Sequence, residues 1–218
     1  MKGKINIKKK VAELIRNSRR IAITSHIRPD ADCIGSGLAL YSMIEQLGKE
    51  VHFFNLDKAP FPLTELPGYE KIKYGQIYPD PFDIVVLIEG GTEDRTGMNY
   101  LDKYFTINID HHATSSFCCD LNWVVPDAGA AGELVYQLAD ELGIQWTRDI
   151  GFNLYAALSS DTGSFKYSNT TTKALAIASQ LVKKCHFTPV EVSDLLFNSN
   201  PLEKVQMIQK VLSTLELR

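Results

Sequence analysis

Short runs of apolar, often β-branched residues alternate along the chain with longer segments in which apolar positions recur at helical spacing. The first pattern reads as strand and the second as amphipathic helix. Lys10 to Arg19 is expected as a first helix, followed by the apolar strand Ile21-Ala-Ile-Thr-Ser25. Gly35 to Leu47 carries Leu38, Leu40, Met43, Ile44 and Leu47 on a helical face, and Gly48 can end it. Val51 to Leu56 reads as a second strand, and Lys58 to Gly68, with Pro60, Pro62 and Pro67, as a loop. Asp83 to Ile88, apolar from Ile84 onwards, and Thr106 to Ile109 read as strands suited to the middle of a parallel sheet covered on both faces. Leu121 to Val125 is expected as a short strand. Helices are expected over Gly132 to Leu142, Ile150 to Leu158, Thr171 to Lys184, Pro189 to Phe197 and Pro201 to Leu217. The last two have Pro in the first turn. Strands alternating with helices predict an α/β fold, a doubly wound, mainly parallel sheet with helices on both faces.

The 218 residues, 44% of them hydrophobic, suffice for one large core or one domain with a small appendage. The formal net charge of -3 and a pI near 6.0 argue against a dedicated duplex-DNA binder. A short anionic substrate stays compatible, because a metal site brings its own positive charge. No apolar run reaches membrane-spanning length, and the basic start is not followed by a signal-peptide core. A cytoplasmic location with no membrane partner is the expectation. Cys33, Cys118, Cys119 and Cys185 form no C-x-x-C pair and read as reduced thiols with no assigned chemistry.

Candidate chemistry begins at the end of the first strand, in Ser25-His26-Ile27-Arg28-Pro29-Asp30-Ala31-Asp32. A parallel sheet presents its site beyond the carboxyl ends of its strands, where His26 falls. An extended Asp-x-Asp would turn both carboxylates to one side. Gly35, Ser36 and Gly37 would then open the helix with N–H groups able to face an anion. One imidazole and two carboxylates suit Mn²⁺ or a similar divalent ion, although either Asp alone would read as a helix cap. The second cluster, Asp110-His111-His112, ends the strand around Ile107. Three consecutive ionisable residues there are costly unless a site needs them. Asp161, in Ser160-Asp161-Thr162-Gly163, is the third; alone it would read as a helix end and turn.

Together these segments resemble the DHH phosphoesterase superfamily, which includes RecJ-type exonucleases, oligoribonuclease/phosphoadenosine phosphatases, cyclic-dinucleotide phosphodiesterases and manganese inorganic pyrophosphatases. Phe165, Tyr167, Asn169 and Thr170, and the segment Asp120 to Glu133, also match, and the resemblance spans Ile21 to about Leu217. It implies two divalent metal ions, Mn²⁺ first, with Mg²⁺ or Co²⁺ as substitutes. His26 and Asp30 would bind one ion, and Asp32, His111 and Asp161 the other. His112 would face the substrate phosphate as donor or acid, and Asp110 would orient the histidine pair from behind. The two ions would activate a water and clamp the phosphoryl oxygens during attack.

Two departures stand out. Glu89, in Ile88-Glu89-Gly90-Gly91, occupies the place of the family's metal-bridging Asp. With one extra methylene it bridges after a backbone adjustment, binds a single ion, or impairs the site. Glu93 and Asp94 read as solvated loop residues. Arg95 matches an arginine that contacts phosphate or braces the loop. The second departure is at the C-terminus. Residues 1–198 read as the catalytic domain and 199–218 as a linker helix towards an absent C-terminal substrate-binding domain.

The implied function is divalent-metal-dependent hydrolysis of small nucleotide phosphoesters. Candidate substrates are short single-stranded oligoribonucleotides, linear dinucleotides and 3′-phosphoadenosine 5′-phosphate. The alternatives are a pyrophosphatase or exopolyphosphatase-like hydrolase, and a non-catalytic metal-dependent nucleotide sensor, which Glu89 permits. No duplex DNA partner is expected, and a homodimer is compatible with the sequence.

Overall fold

The first strand, β1 (Arg20–Ser25), lies inside a six-stranded sheet. The computed structural model describes residues 6–78, 81–116 and 118–215, and of Glu93 only the backbone. The other strands are β2 (Glu50–Asn55), β3 (Ile72–Tyr74), β4 (Ile84–Ile88), β5 (Phe105–Asp110) and β6 (Leu121–Val124). Their order is β3-β2-β1-β4-β5-β6, and every pairing is parallel. The chain leaves β1 towards β2 on one side and returns to β4 on the other. The order therefore reverses between β1 and β4, and a doubly wound sheet opens a crevice there. Register sharpens this: Ser25 pairs with Ile88, and Ile88 with Ile109. The next residue on each strand, His26, Glu89 and Asp110, thus stands at one level at the carboxyl edge of the sheet.

One face of the sheet carries the long helices. These are α1 (Ile7–Asn17), α2 (Ala31–Gln46), α4 (Ala131–Leu142) and α5 (Arg148–Asp161), with α6 (Thr172–Cys185) packed on α5. Their apolar stripes and the sheet form one continuous core that includes Ile23, Leu38, Phe53, Val86, Leu134 and Leu158. Two glycines of α2 allow close approaches. A Cβ on Gly35 would lie 2.5 Å from the Asn153 carbonyl oxygen, and one on Gly37 would lie 2.5 Å from the Phe53 ring. α2 and α5 are thereby brought nearly into backbone contact, and each carries part of the site.

The opposite face is covered by shorter pieces. Ala22, Val85 and Leu87 pack there with Ile77, Phe82, Met98, Leu101 and Cys119. Two of these come from the neighbourhood of the one-turn helix α3 (Glu93–Thr96) and the turn Leu101–Lys103. Sequence patterning gave no signal for these turns, nor for the three-residue β3.

The C-terminal helices follow the expected positions. α7 (Pro189–Ser193) starts with a Thr188–Glu191 capping box and runs into a π-turn over Asp194–Asn198. α8 (Leu202–Leu212) buries none of its residues, and Leu202, Val205, Ile208 and Val211 are exposed. The expected helix ran to Leu217, but α8 ends at Leu212 and the chain turns at Ser213 and Thr214; Leu217 itself lies outside the described residues. Among the described residues no helix is long and apolar enough to cross a membrane.

Candidate metal centre

The site lies over the β1–β4 crevice and is held by five elements. His26 follows β1, Asp30 caps α2, and Asp32 lies in the first turn of α2. Glu89 follows β4, Asp110 ends β5 with His111 and His112 after it, and Asp161 ends α5.

Their donor atoms fall into three groups, the first two sharing Glu89 and the last two sharing His111: His26, Asp30, Cys33 and Glu89; Glu89, His111 and His112; and Asp32, His111 and Asp161. In the first group His26 Nε2 lies 3.6 Å from Asp30 Oδ2 and 3.7 Å from Glu89 Oε2. In the last, His111 Nε2 lies 3.6 Å from Asp32 Oδ2 and 3.3 Å from Asp161 Oδ2. Glu89 Oε1 is 3.0 Å from His111 Nε2. One carboxylate thus turns one oxygen towards His26 and the other towards His111. Its backbone takes the left-handed conformation, φ 56°, directly after the strand, which a non-glycine residue adopts only at a cost.

The surroundings aim these atoms. His26 Nδ1 lies 2.8 Å from the Ile27 carbonyl oxygen, and His111 Nδ1 lies 3.2 Å from that of Ala128. A ring nitrogen facing a carbonyl donates, so each imidazole presents Nε2 to the carboxylates. Asp32 accepts from Ala131 N at 2.6 Å, Gly132 N at 3.0 Å and Ser36 Oγ at 2.9 Å. Its carboxylate is therefore fixed at the N-terminus of α4, where the helix dipole favours negative charge. Asp30 Oδ1 accepts from Cys33 N at 3.0 Å, which leaves Oδ2 for His26.

Charge is unbalanced here. Burial and the Glu89 carboxylate push Asp32 well above the usual carboxylate range. Burial also raises Asp161, against the pull of His111. Burial disfavours a charged His111, but Glu89, Asp32 and Asp161 outweigh it and push the ring up to about 10. His26 is raised in the same way, burial being overcome by Asp30, Cys33 and Glu89. Glu89 Oε2 and His111 Nε2 are buried and make no hydrogen bond among the described residues. Such groups are costly unless a partner fills the gap between them. Donors bound to one ion at about 2.0–2.3 Å stand about 3–4 Å apart, the spacing seen in both groups. The donor set, its spacing and its two orphaned atoms therefore fit divalent cations.

The profile of the DHH family, N-terminal domain, matches residues 20–158. The chain belongs to the DHH family. This DHH chain is 33% identical over 168 residues to the bifunctional oligoribonuclease and PAP phosphatase NrnA of Thermus thermophilus, covering 74% of the chain and 49% of that protein. It is 26% identical over 167 residues to the Bacillus subtilis protein of the same name, covering 75% and 52%. The chain spans about half the length of these curated relatives. An exopolyphosphatase-related protein from Bacteroides fragilis superposes with a TM-score of 0.87 at 22% identity, covering 97% of this chain and 66% of that one. That likeness shows the shared fold.

Three sequence expectations change. The DHH chain's Asp30-Ala31-Asp32 is not extended, because capping by Asp30 starts α2 at Ala31. The two carboxylates consequently serve different groups. Gly35, Ser36 and Gly37 lie inside α2, not at its opening, so their N–H groups face no anion. Asp110 orients His112 alone: its Oδ1 accepts from His112 N and Nδ1, both at 2.9 Å, and its Oδ2 accepts from Gly91 N at 3.1 Å.

Arg95 sits in α3. Its carbonyl accepts from Ile27 N at 2.7 Å, and its guanidinium lies against Gly91, where a Cβ would be 3.0 Å from Nη1. These contacts brace the loops after β1 and β4. Asp94 is exposed, and the Glu93 side chain lies outside the described residues.

Sequence reading missed the scaffold behind His111. Glu133 is buried, pairs with Lys173 at 2.6 Å and accepts from Gly129 N at 3.2 Å. Asn169 Nδ2 donates to the carbonyls of Gly129 and Asp161, both at 3.1 Å. Together they fix the loop whose Ala128 carbonyl aims His111. The available signal was the Gly-rich run before a helix, Ala128 to Gly132, with an acid one residue later.

The Asp110–His112 pair has a pH signature. Burial opposes the Asp110 charge, but His112 holds its carboxyl down to about 2. Asp110 in turn raises His112. Asp110 therefore contributes stability above the usual carboxylate range, lost as pH falls to about 2. His112 contributes fully below about 6.5, and loses that contribution as pH rises through its raised value. In protein without added metal, Asp110→Asn should bring the His112 midpoint down towards about 6.5 by NMR titration of the ring protons. An unchanged midpoint would assign the shift to Glu89.

Proposed function

We propose that this chain is the metal-binding half of a phosphoesterase that hydrolyses small nucleotide phosphoesters. The candidate substrates are short oligoribonucleotides, linear dinucleotides and 3′-phosphoadenosine 5′-phosphate. The observation that carries this reading is Glu89, whose two oxygens address two separate groups of imidazole and carboxylate donors. His26, Asp30 and Glu89 would hold one divalent cation, and Asp32, His111, Asp161 and Glu89 a second, with Mn²⁺ expected first and Mg²⁺ or Co²⁺ as substitutes. Bound there, the cations supply the charge that neutralises phosphoryl oxygens and acidifies the attacking water.

The chain's own residues prepare the rest. The Ile27 and Ala128 carbonyls hold His26 and His111 in one tautomer. The Ala131 and Gly132 amides hold the Asp32 carboxyl group in place, so this donor need not reorganise when substrate arrives. His112 is more exposed than His111, and its Nδ1 is taken by Asp110. A protonated His112 can therefore donate from Nε2 to a phosphoryl or leaving oxygen. Arg95 braces the loops that position Glu89 and His26. Residues 1–198 serve as the catalytic domain, and 199–218 as a linker helix towards a substrate-binding domain. The exposed apolar face of α8 and the twofold greater length of the relatives support that arrangement.

The test is metal-dependent hydrolysis of a substrate panel, before and after chelation. The panel holds short oligoribonucleotides, a linear dinucleotide, 3′-phosphoadenosine 5′-phosphate, pyrophosphate and polyphosphate. Chelator-sensitive turnover of the nucleotides supports the reading. Turnover of pyrophosphate or polyphosphate alone moves the chain to that class of hydrolase. Metal binding with no turnover overturns catalysis and leaves a nucleotide sensor.

A further inference from the structure

Cys33 reads in the sequence as a reduced thiol with no assigned chemistry, and it is fully buried. Its position in the fold is specific. It lies in the first turn of α2, and its N–H is held by Asp30 Oδ1. Its Sγ groups with the donor atoms of His26, Asp30 and Glu89, all within 4.8 Å of one another. Glu89 Oε2 in that group is buried and makes no hydrogen bond among the described residues. An unpartnered carboxylate oxygen, an imidazole nitrogen, a second carboxylate and a sulfur therefore converge on one gap. The other group, Asp32, His111 and Asp161, with Glu89 Oε1 facing its histidine at 3.0 Å, offers only nitrogen and oxygen.

We infer that Cys33 Sγ is a fourth donor at the His26–Asp30–Glu89 position, and that this position selects a softer divalent ion than the position around His111. The inference rests on the metal-binding reading above and assigns a ligand beyond it. Thiolate favours Zn²⁺ and Co²⁺ over Mn²⁺ and Mg²⁺, whereas carboxylate and imidazole alone discriminate less. The two positions then differ in metal preference, and a mixed pair of ions fills the centre. Thiolate binding displaces the thiol proton to solvent. Were Cys33 only a small core residue, its removal would alter packing and leave metal spectra unchanged.

The test is titration of the whole chain with Co²⁺, followed by near-ultraviolet absorption and elemental metal content. The expected result is bound Co²⁺ with a sulfur-to-cobalt charge-transfer band. That band should persist in Cys118→Ser/Cys119→Ser and vanish in Cys33→Ser with Co²⁺ still bound. Wild type should release one more proton on Co²⁺ uptake than Cys33→Ser. Its preference for Zn²⁺ over Mn²⁺ should drop about tenfold in that variant. If Cys33→Ser does not fold, the wild-type band and its persistence in the double variant decide. Bound Co²⁺ without a sulfur band overturns the role of Cys33 and leaves the metal centre standing. Failure of wild type to bind Co²⁺ overturns both.

Discussion

Glu89→Gln is expected to lose tight Mn²⁺ binding and to lower turnover by at least about a hundredfold. The substitution preserves shape and burial but removes the anionic charge that faces both donor groups. An amide offers one oxygen, so only one group keeps its acceptor. Calorimetry reads the affinity. Thermal unfolding gives an independent readout, because a ligand at a hundred times its Kd stabilises the folded state by about 2.7 kcal/mol. That Mn²⁺-induced rise should be present in wild type and small in the variant. Glu89→Asp distinguishes reach from charge. It keeps the charge and withdraws the carboxylate by one bond from a backbone already turned to suit Glu89. A shift of about 1 Å can cost on the order of a hundredfold in rate. The Asp variant should therefore bind metal better than the Gln variant and still turn over slowly. Full metal and full turnover in Glu89→Gln would place the bridging role elsewhere.

His111→Ala should lose both metal and activity, whereas His112→Ala should keep its metal and lose about a hundredfold to ten-thousandfold in turnover. The adjacent rings are built into different surroundings. His111 is buried, its Nδ1 is tied to Ala128 and its Nε2 meets three carboxylates. His112 is partly exposed and bound to Asp110. Elemental analysis of the purified variants separates the two roles. Metal loss confined to His112→Ala would reverse them.

Much of this centre was legible because its residues break strong local patterns. His26 and the Asp110-His111-His112 run interrupt apolar strands at their carboxyl ends, where an α/β sheet places its chemistry. Glu89 was legible as a position. Its reach towards both groups was not, because that depends on a positive φ that a side chain does not announce. The start of α2 was misplaced by four residues, since Gly35 and Gly37 look like a helix opening. They are instead small because Asn153 and Phe53 press against them. The Ala128 carbonyl that aims His111 is a backbone atom and has no residue signature. Cys33 carries no chemical signal in the sequence, because a thiol in the core and a thiol beside polar side chains share one letter.

The fastenings behind His111 also set where the metal centre ends along the chain. The family match closes at residue 158, yet Asp161 faces His111, Asn169 ties Gly129 to Asp161, and Lys173 pairs with Glu133. Lys173 rides on α6, which is anchored against α5 through Ile177, Leu181 and Cys185. A fragment cut at the family boundary would keep the Asp-His-His run and lose the struts that point it. The core itself runs on through Phe187 and Val192, so moving this domain into another protein with a cut at residue 158 would transfer the motif without the residues that aim it.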